Sequence, residues 1–474
     1  MLKDAKEPKD KTPGERLAEK LVLKPENSGN RMKPREIQDA FALCDDYKEF
    51  LDAGKTEREC AAWTLAVLRK SGYKPFEAGK AYKPGARVYV ENRGKALLFA
   101  TIGSRPLADG VKILASHIDS PRIDLKQRPL YEEAQLAMFK THYYGGVRKY
   151  QWVAIPLALH GVIVKKDGKT VDVCIGEGED DPVFCINDLL PHLAREQDKR
   201  KLAEGVKGEE LNVLVGALPF KDDKASEKVK LNVLRLLGEK YGIIEEDLIS
   251  AELCMVPAFK ARDVGLDRSM IGAYGHDDRV CAYASLMAGL KAPKPAYTWV
   301  NVLADKEETG SDGNTGLASR FLENFVTALA KSQNLEGYDV LGRSECLSAD
   351  VNGAFDPTFP DVHEKKNACY LGYGAVMSKY TGARGKSGTS DASAEFVGKI
   401  RRLLDDAGVH WQTAELGKVD AGGGGTVAKF IANLGADVID LGVPVLSMHA
   451  PLEVVAKTDV YSAYCAFLAF INQK

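Results

Sequence analysis

Residues 112–120 read KILASHIDS and residues 298–310 read TWVNVLADKEETG. In both, a β-rich apolar run ends in histidine or acidic residues and then a turn. Residues 438–450, VIDLGVPVLSMHA, repeat the design, and 346–350, CLSAD, are a weaker fourth case. Short apolar runs bounded by Gly, Pro and Asp are consistent with buried strands. Helical patterns alternate with them. Val280, Tyr283, Ala284, Met287 and Leu290 follow the acidic pair Asp277-Asp278 at helical spacing. Leu317, Phe321, Leu322, Phe325 and Leu329 form a second such face. Phe396, Val397, Ile400, Leu403 and Leu404 form a third, with Ser390 or Asp391 as its expected cap. Strands alternating with helices predict an α/β fold whose ligands gather at the carboxyl ends of the strands.

Working outward, the texture changes between residues 122 and 268. There lie the short strand-like runs VAIPLALHGVIV (153–164) and LNVLVGAL (211–218), and a charged stretch, REQDKRKLAEGVKGEE (195–210). The charged stretch reads as a solvated loop or disordered insert. The whole segment reads as a second domain, 122–268, inserted into a first made of 1–121 and 269–474. Two domains also suit a chain of 474 residues.

A composition of 45% apolar and 28% charged residues is that of a globular protein. A net charge of -2 offers no general attraction to nucleic acid. No apolar run approaches the roughly 20 residues that span a bilayer. The first twenty residues, MLKDAKEPKDKTPGERLAEK, are charged throughout and lack the apolar core of a secretory signal. Nine cysteines, an odd number with no C-x-x-C pair, fit reduced thiols better than a disulfide framework. The expected compartment is the cytoplasm, with no nucleic-acid or membrane partner.

With only eight histidines in the chain, their placement carries information. His117 precedes Asp119 by two residues, which share a face if the strand continues, so the carboxylate can accept the second ring N–H of a metal-bound imidazole. Glu307 and Glu308, adjacent at a strand end, repel one another in a dry site. A cation relieves one and leaves the other to take a proton from water. His449 closes an apolar segment, Asp350 ends a strand, and Asp277 starts a helix, where a carboxylate is stable without any metal. Each residue alone has a bland structural reading. Together, two histidines and three carboxylates suit two zinc ions, with one carboxylate shared.

In order, SHIDSPRIDLK, GHDDR, DKEETGS, LSAD and VPVLSMHAPLE resemble the aspartyl aminopeptidase family of dinuclear zinc exopeptidases, and the resemblance runs over nearly the whole chain. It implies an α/β/α zinc-peptidase sandwich with an inserted β-rich dimerisation domain. It implies that His117, Asp277, Glu308, Asp350 and His449 hold two divalent metal ions per subunit, zinc first, with cobalt or manganese as alternatives. Asp277 would bridge, Asp119 would orient His117, and Glu307 would be the general base. His160, in LALHG, would reach a neighbouring subunit's active site and assist at the scissile carbonyl. The implied partners are peptides with a free N-terminus and other copies of the chain, in dimers and a tetrahedral dodecamer. Other readings of the same residues are a metal-dependent deacylase or carboxypeptidase, or a catalytically vestigial shell-forming binding protein.

The chain departs from the family pattern in two places. Asp278, preceded by His276, stands where an asparagine is usual, and Asn352 stands where a substrate-pocket histidine is common. His363 and Lys379 survive as candidate substrate-binding residues, with Lys379 suited to an acidic side chain. The glycine run DAGGGGT (420–426) lacks the G-K-[S/T] of a phosphate loop, and reads instead as a close approach of backbone.

Overall fold

The computed structural model describes residues 11–474; the first half of the charged N-terminal stretch lies outside the described residues. A nine-stranded sheet forms the centre. Its middle four strands, Trp299–Ala304, Lys112–His117, Glu345–Ser348 and Asp437–Gly442, are mutually parallel. Antiparallel neighbours flank them, Ala96–Thr101 on one side and Ala375–Ser378 on the other.

Parallel strands need cover on both faces, and their near-continuous apolar sequences reflect this. Leu114, Leu347, Ile439 and Leu441 face a layer of helices that includes Pro34–Ala53, Glu57–Lys70, His276–Leu290 and Lys457–Ile471. Ile113, Ala115, Cys346 and Val438 face the opposite layer, with Phe321–Lys331 and Ala428–Ala432. The result is an α/β/α sandwich. The third helical pattern becomes Ala394–Asp406, but its cap is Ser393, whose hydroxyl accepts the Phe396 N–H. Ser393 sits immediately before the first helical residue, whereas Asp391 is taken by Lys379 and Lys386.

A seven-stranded, wholly antiparallel sheet is drawn from residues 122–257, and the helix Lys228–Tyr241 packs against it. Residues 195–210 are mostly exposed and carry two short 3-10 turns, Leu202–Glu204 and Gly208–Glu210. A five-stranded sheet joins Arg262–Val264 and Met270–Ala273 to Glu453–Ala456, Pro444–Leu446 and Asn352–Gly353. All nine cysteines are free. Among the described residues no helix is long and apolar enough to cross a membrane.

The register of the middle strands places the chemistry. His117 pairs with Ala304, and Ser348 pairs with both Ala115 and Asp440. The residues just beyond these pairs, Asp119, Asp305–Glu308 and Asp350, therefore emerge along one edge of the sheet. Asp350 is seated against Gly442, where a Cβ would stand 1.7 Å from the Asp350 carbonyl oxygen, so only glycine allows this approach.

Candidate metal centre

Two histidines and four carboxylates converge at that edge. The two oxygens of Asp277 divide between the imidazoles: Oδ1 lies 3.1 Å from His117 Nε2 and Oδ2 lies 3.1 Å from His449 Nε2. Glu308 Oε2 is 3.5 Å from His449 Nε2. Glu307 Oε2 and Asp350 Oδ1 are 3.7 and 3.9 Å from His117 Nε2. His117, Asp277 and Glu308 bring one donor atom each within 4.8 Å of one another, and so do His117, Asp278 and Asp350.

The donor set is short of positive charge. Burial works against an imidazolium at both histidines, yet the facing carboxylates outweigh it, raising His117 well above its usual range and His449 to about 10. Burial, reinforced by the charge on Asp277, pushes Glu307 up to about 7 and Glu308 well above the carboxylate range. Burial and the neighbouring Asp278 do the same to Asp350. Glu308 Oε1 and Asp278 Oδ1 are buried without a hydrogen-bond partner. Unpaired buried anions cost several kcal/mol, about 3–5 where a partner has been removed. Divalent cations would remove that cost, and imidazole with carboxylate is a donor set that zinc accepts. The residues present fit the metal that their types suggest.

Four of the candidates, His117, Asp277, Glu308 and His449, are held from behind. His117 Nδ1 donates to the backbone carbonyl of Asp119 at 3.0 Å, with the Asp119 carboxylate slightly farther at 3.3 Å. The strand ends at His117, so the alternation expected through Asp119 does not continue. The Asp119 carboxylate instead accepts the backbone N–H groups of Glu307 and Glu308, each at 3.2 Å. It thereby fixes the turn that carries the two glutamates.

Glu453, which ends the motif VPVLSMHAPLE but was given no role from sequence, does the same on the other side. Its buried carboxylate accepts the Asp277 N–H at 3.0 Å and the His449 N–H at 2.6 Å. Burial, with the charge of Asp277, raises it to about 8. Its strand-start position carries no local signal of the contact to Asp277, because that donor lies 176 residues away. Glu453→Gln places an amide N–H against one of these donors. The expected result is a loss of about 1–3 kcal/mol of stability and of about 10–100-fold in metal affinity, read by thermal denaturation and chelator competition. Unchanged metal affinity would remove Glu453 from the site.

His160 belongs to the seven-stranded sheet. Its Nδ1 is 2.7 Å from Glu59 and its Nε2 is 3.1 Å from Glu177, which also binds Lys55 at 2.6 Å. Burial opposes its protonation, but the neighbouring Cys174 thiol and these carboxylates raise it to about 11, while Glu177 is lowered to about 2. The folded imidazolium is favoured over the unfolded one. Its stabilising effect is therefore complete below the unfolded value of 6.5 and fades as pH rises toward about 11. The stability gap between the unmodified chain and His160→Ala should be about 3 kcal/mol near pH 6 and shrink steadily toward pH 10. Denaturation at several pH values reads this, and a gap that widens with pH would contradict it.

Lys379 pairs with Asp391, not with the cluster, and His363 lies tilted against Phe355 with a ring-centroid distance of 5.4 Å. Asn352 is buried and donates to the Ser378 hydroxyl at 2.9 Å. Ser378 immediately precedes Lys379, so the Lys379 loop starts beside the Asp350 segment. Asp278, the departure at the helix start, is buried beside His117 and Asp350, and burial raises it well above the carboxylate range.

The model of the family described as "Aminopeptidase I zinc metalloprotease (M18)" matches residues 50–471. A probable M18 family aminopeptidase 1 from Clostridium acetobutylicum is 50% identical over 460 residues, covering 95% of this chain and 99% of its own. One from Thermotoga maritima is 45% identical, covering 96% and 100%. The crystal structure of the Thermotoga maritima M18 aminopeptidase superposes with a TM-score of 0.91, over 95% of this chain and 100% of that one. The structure of the Saccharomyces cerevisiae mApe1 dodecamer, at 22% identity and a TM-score of 0.73, shares the fold over 90% of this chain and 95% of that one. The chain belongs to the M18 family of zinc metalloprotease aminopeptidases.

Proposed function

We propose that this aminopeptidase releases the N-terminal residue of peptides at a centre for two divalent metal ions, with Glu307 as general base. The observation that carries the reading is Asp277, which offers one oxygen toward His117 and the other toward His449. His117 and Asp350 would hold one ion, Glu308 and His449 the other, and Asp277 would be shared. When bound, zinc, or cobalt or manganese in its place, supplies Lewis acidity toward the scissile carbonyl and a water.

The remaining steps fall to the chain's own groups. Glu307 takes the proton of the attacking water and returns it to the leaving amine. Its side chain is 17% exposed against 3% for Glu308, so Glu307 is the glutamate a substrate can reach. Asp119 holds the glutamate turn in place. The free α-amine of the substrate is received among the acidic ligands. Lys379 and His363, on loops near the Asp350 segment, are the candidates for contact with the departing residue's side chain.

We read residues 122–268 as the association domain of a cytoplasmic oligomer. The mApe1 dodecamer is a precedent for an assembly of twelve chains of this fold, and we read the arrangement here as tetrahedral. In that assembly His160 would leave Glu177 to donate toward a substrate carbonyl in the neighbouring subunit.

The test is a panel of aminoacyl and N-blocked substrates, run after chelation with zinc, cobalt or manganese added back. Free-amine substrates should be cleaved and blocked ones refused. Cleavage of blocked substrates would instead indicate a deacylase or carboxypeptidase, and no turnover with two bound metals would indicate a vestigial site.

A further inference from the structure

The strand Leu136–Tyr144 of the seven-stranded sheet ends against the metal centre of the other domain. Three consecutive residues make the contact. The Tyr144 hydroxyl donates to Asp119 Oδ2 at 2.8 Å, on the same carboxylate that holds the backbone of Glu307 and Glu308. Gly145 lies at φ +74°, and a Cβ there would stand 3.1 Å from Glu308 Oε2. The Gly146 carbonyl accepts the ring N–H of His449 Nδ1 at 3.1 Å, which turns Nε2 toward Asp277. The Arg122 guanidinium covers the Tyr144 ring at 4.1 Å from its centroid.

We propose that Tyr144-Gly145-Gly146 is a positioning strap through which the inserted sheet sets the metal centre of its own subunit. Tyr144 acts through Asp119 on the glutamate turn. Gly146 selects the tautomer of His449 that leaves Nε2 free for a metal, the role that carbonyl partners play for metal-bound histidines. Gly145 lets the chain pass Glu308 in a backbone conformation that a side chain would strain. Movement of the inserted sheet is thereby transmitted to three groups of the site. The proposal rests on the reading of His449 and Glu308 as ligands and Glu307 as base.

Tyr144→Phe removes the hydroxyl and keeps the ring under Arg122. Gly145→Ala adds a Cβ against Glu308. For Tyr144→Phe, kcat should fall about tenfold with KM within about twofold, and zinc should be surrendered to a competing chelator about 10–100-fold more readily. Gly145→Ala should weaken zinc binding by a similar factor. Tyr144→Phe should keep the melting temperature of the metal-free protein, which a merely structural role would lower; Gly145→Ala, strained by its positive φ, should melt lower and is read by zinc affinity alone. Zinc affinity in both variants within twofold of the unmodified chain would overturn the strap and leave the aminopeptidase reading standing. Failure of the unmodified chain to bind zinc would overturn the metal reading, and the strap with it. A fall in zinc affinity alongside full activity of Glu307→Gln would uphold the strap and overturn only the base.

Discussion

Glu307→Gln is expected to lower kcat by about a thousandfold or more while leaving two metals bound. Removing a general base costs about 10²–10⁴-fold. The amide keeps the shape of the side chain but cannot accept the proton of the attacking water. Metal binding should survive because Glu307 stands 3.7 Å from His117 Nε2, outside the closer pairs that Asp277 makes with both imidazoles. Its backbone N–H, the group that Asp119 holds, is untouched by the change. The measurements are metal stoichiometry and steady-state kinetics on an aminoacyl substrate. Activity within tenfold of the unmodified enzyme would end the assignment of Glu307 as base. Loss of metal with loss of activity would recast Glu307 as a ligand.

Asp277→Asn is expected to be as severe by a different route. Among the described residues Asp277 is the one carboxylate with an oxygen near both His117 and His449, so in the proposed centre both metal positions would depend on it. The asparagine offers one oxygen, no charge, and an N–H pair that faces an imidazole nitrogen. Metal content should fall below two ions per chain, and activity by at least about a thousandfold, since a paired-metal site loses its shared ligand. The metal-free protein is weakened as well. Burial disfavours the Asp277 charge, yet the two imidazoles facing it hold its carboxyl well below the usual range, so the asparagine loses two charge-assisted pairs. Under chelation, Asp277→Asn should therefore melt lower than the unmodified chain. Two tightly held metals in this variant would show that the ions do not share Asp277.

The strand-end positions of His117, Glu307–Glu308 and Asp350 were legible because each is a local event. An apolar run stops, and polar residues follow where a parallel sheet opens to ligands. The helix start at Asp277 was legible for the same reason. Other features had no local signature. The helix Ala394–Asp406 could be read from its apolar spacing, but its cap is Ser393, because Asp391 is committed to Lys379 and Lys386, a pairing that sequence spacing did not indicate. Asp119 was expected to serve the His117 ring chiefly through its carboxylate. Its backbone carbonyl is the nearer acceptor, and the carboxylate serves a turn 188 residues away.

What the sequence by itself determined is the α/β order of elements and the residue types able to hold metal at their ends. Both follow from periodicity and from donor chemistry, which are properties of short segments. What only the tertiary structure decided is how those donors are supported. Glu453 spans 176 residues to hold Asp277, and Tyr144 and Gly146 come from a different sheet to reach Asp119 and His449. A hydrogen bond to a backbone N–H depends on where two remote segments meet and leaves almost no trace in either one's pattern. The candidate ligands are therefore written in the motifs, and their alignment is written in the packing.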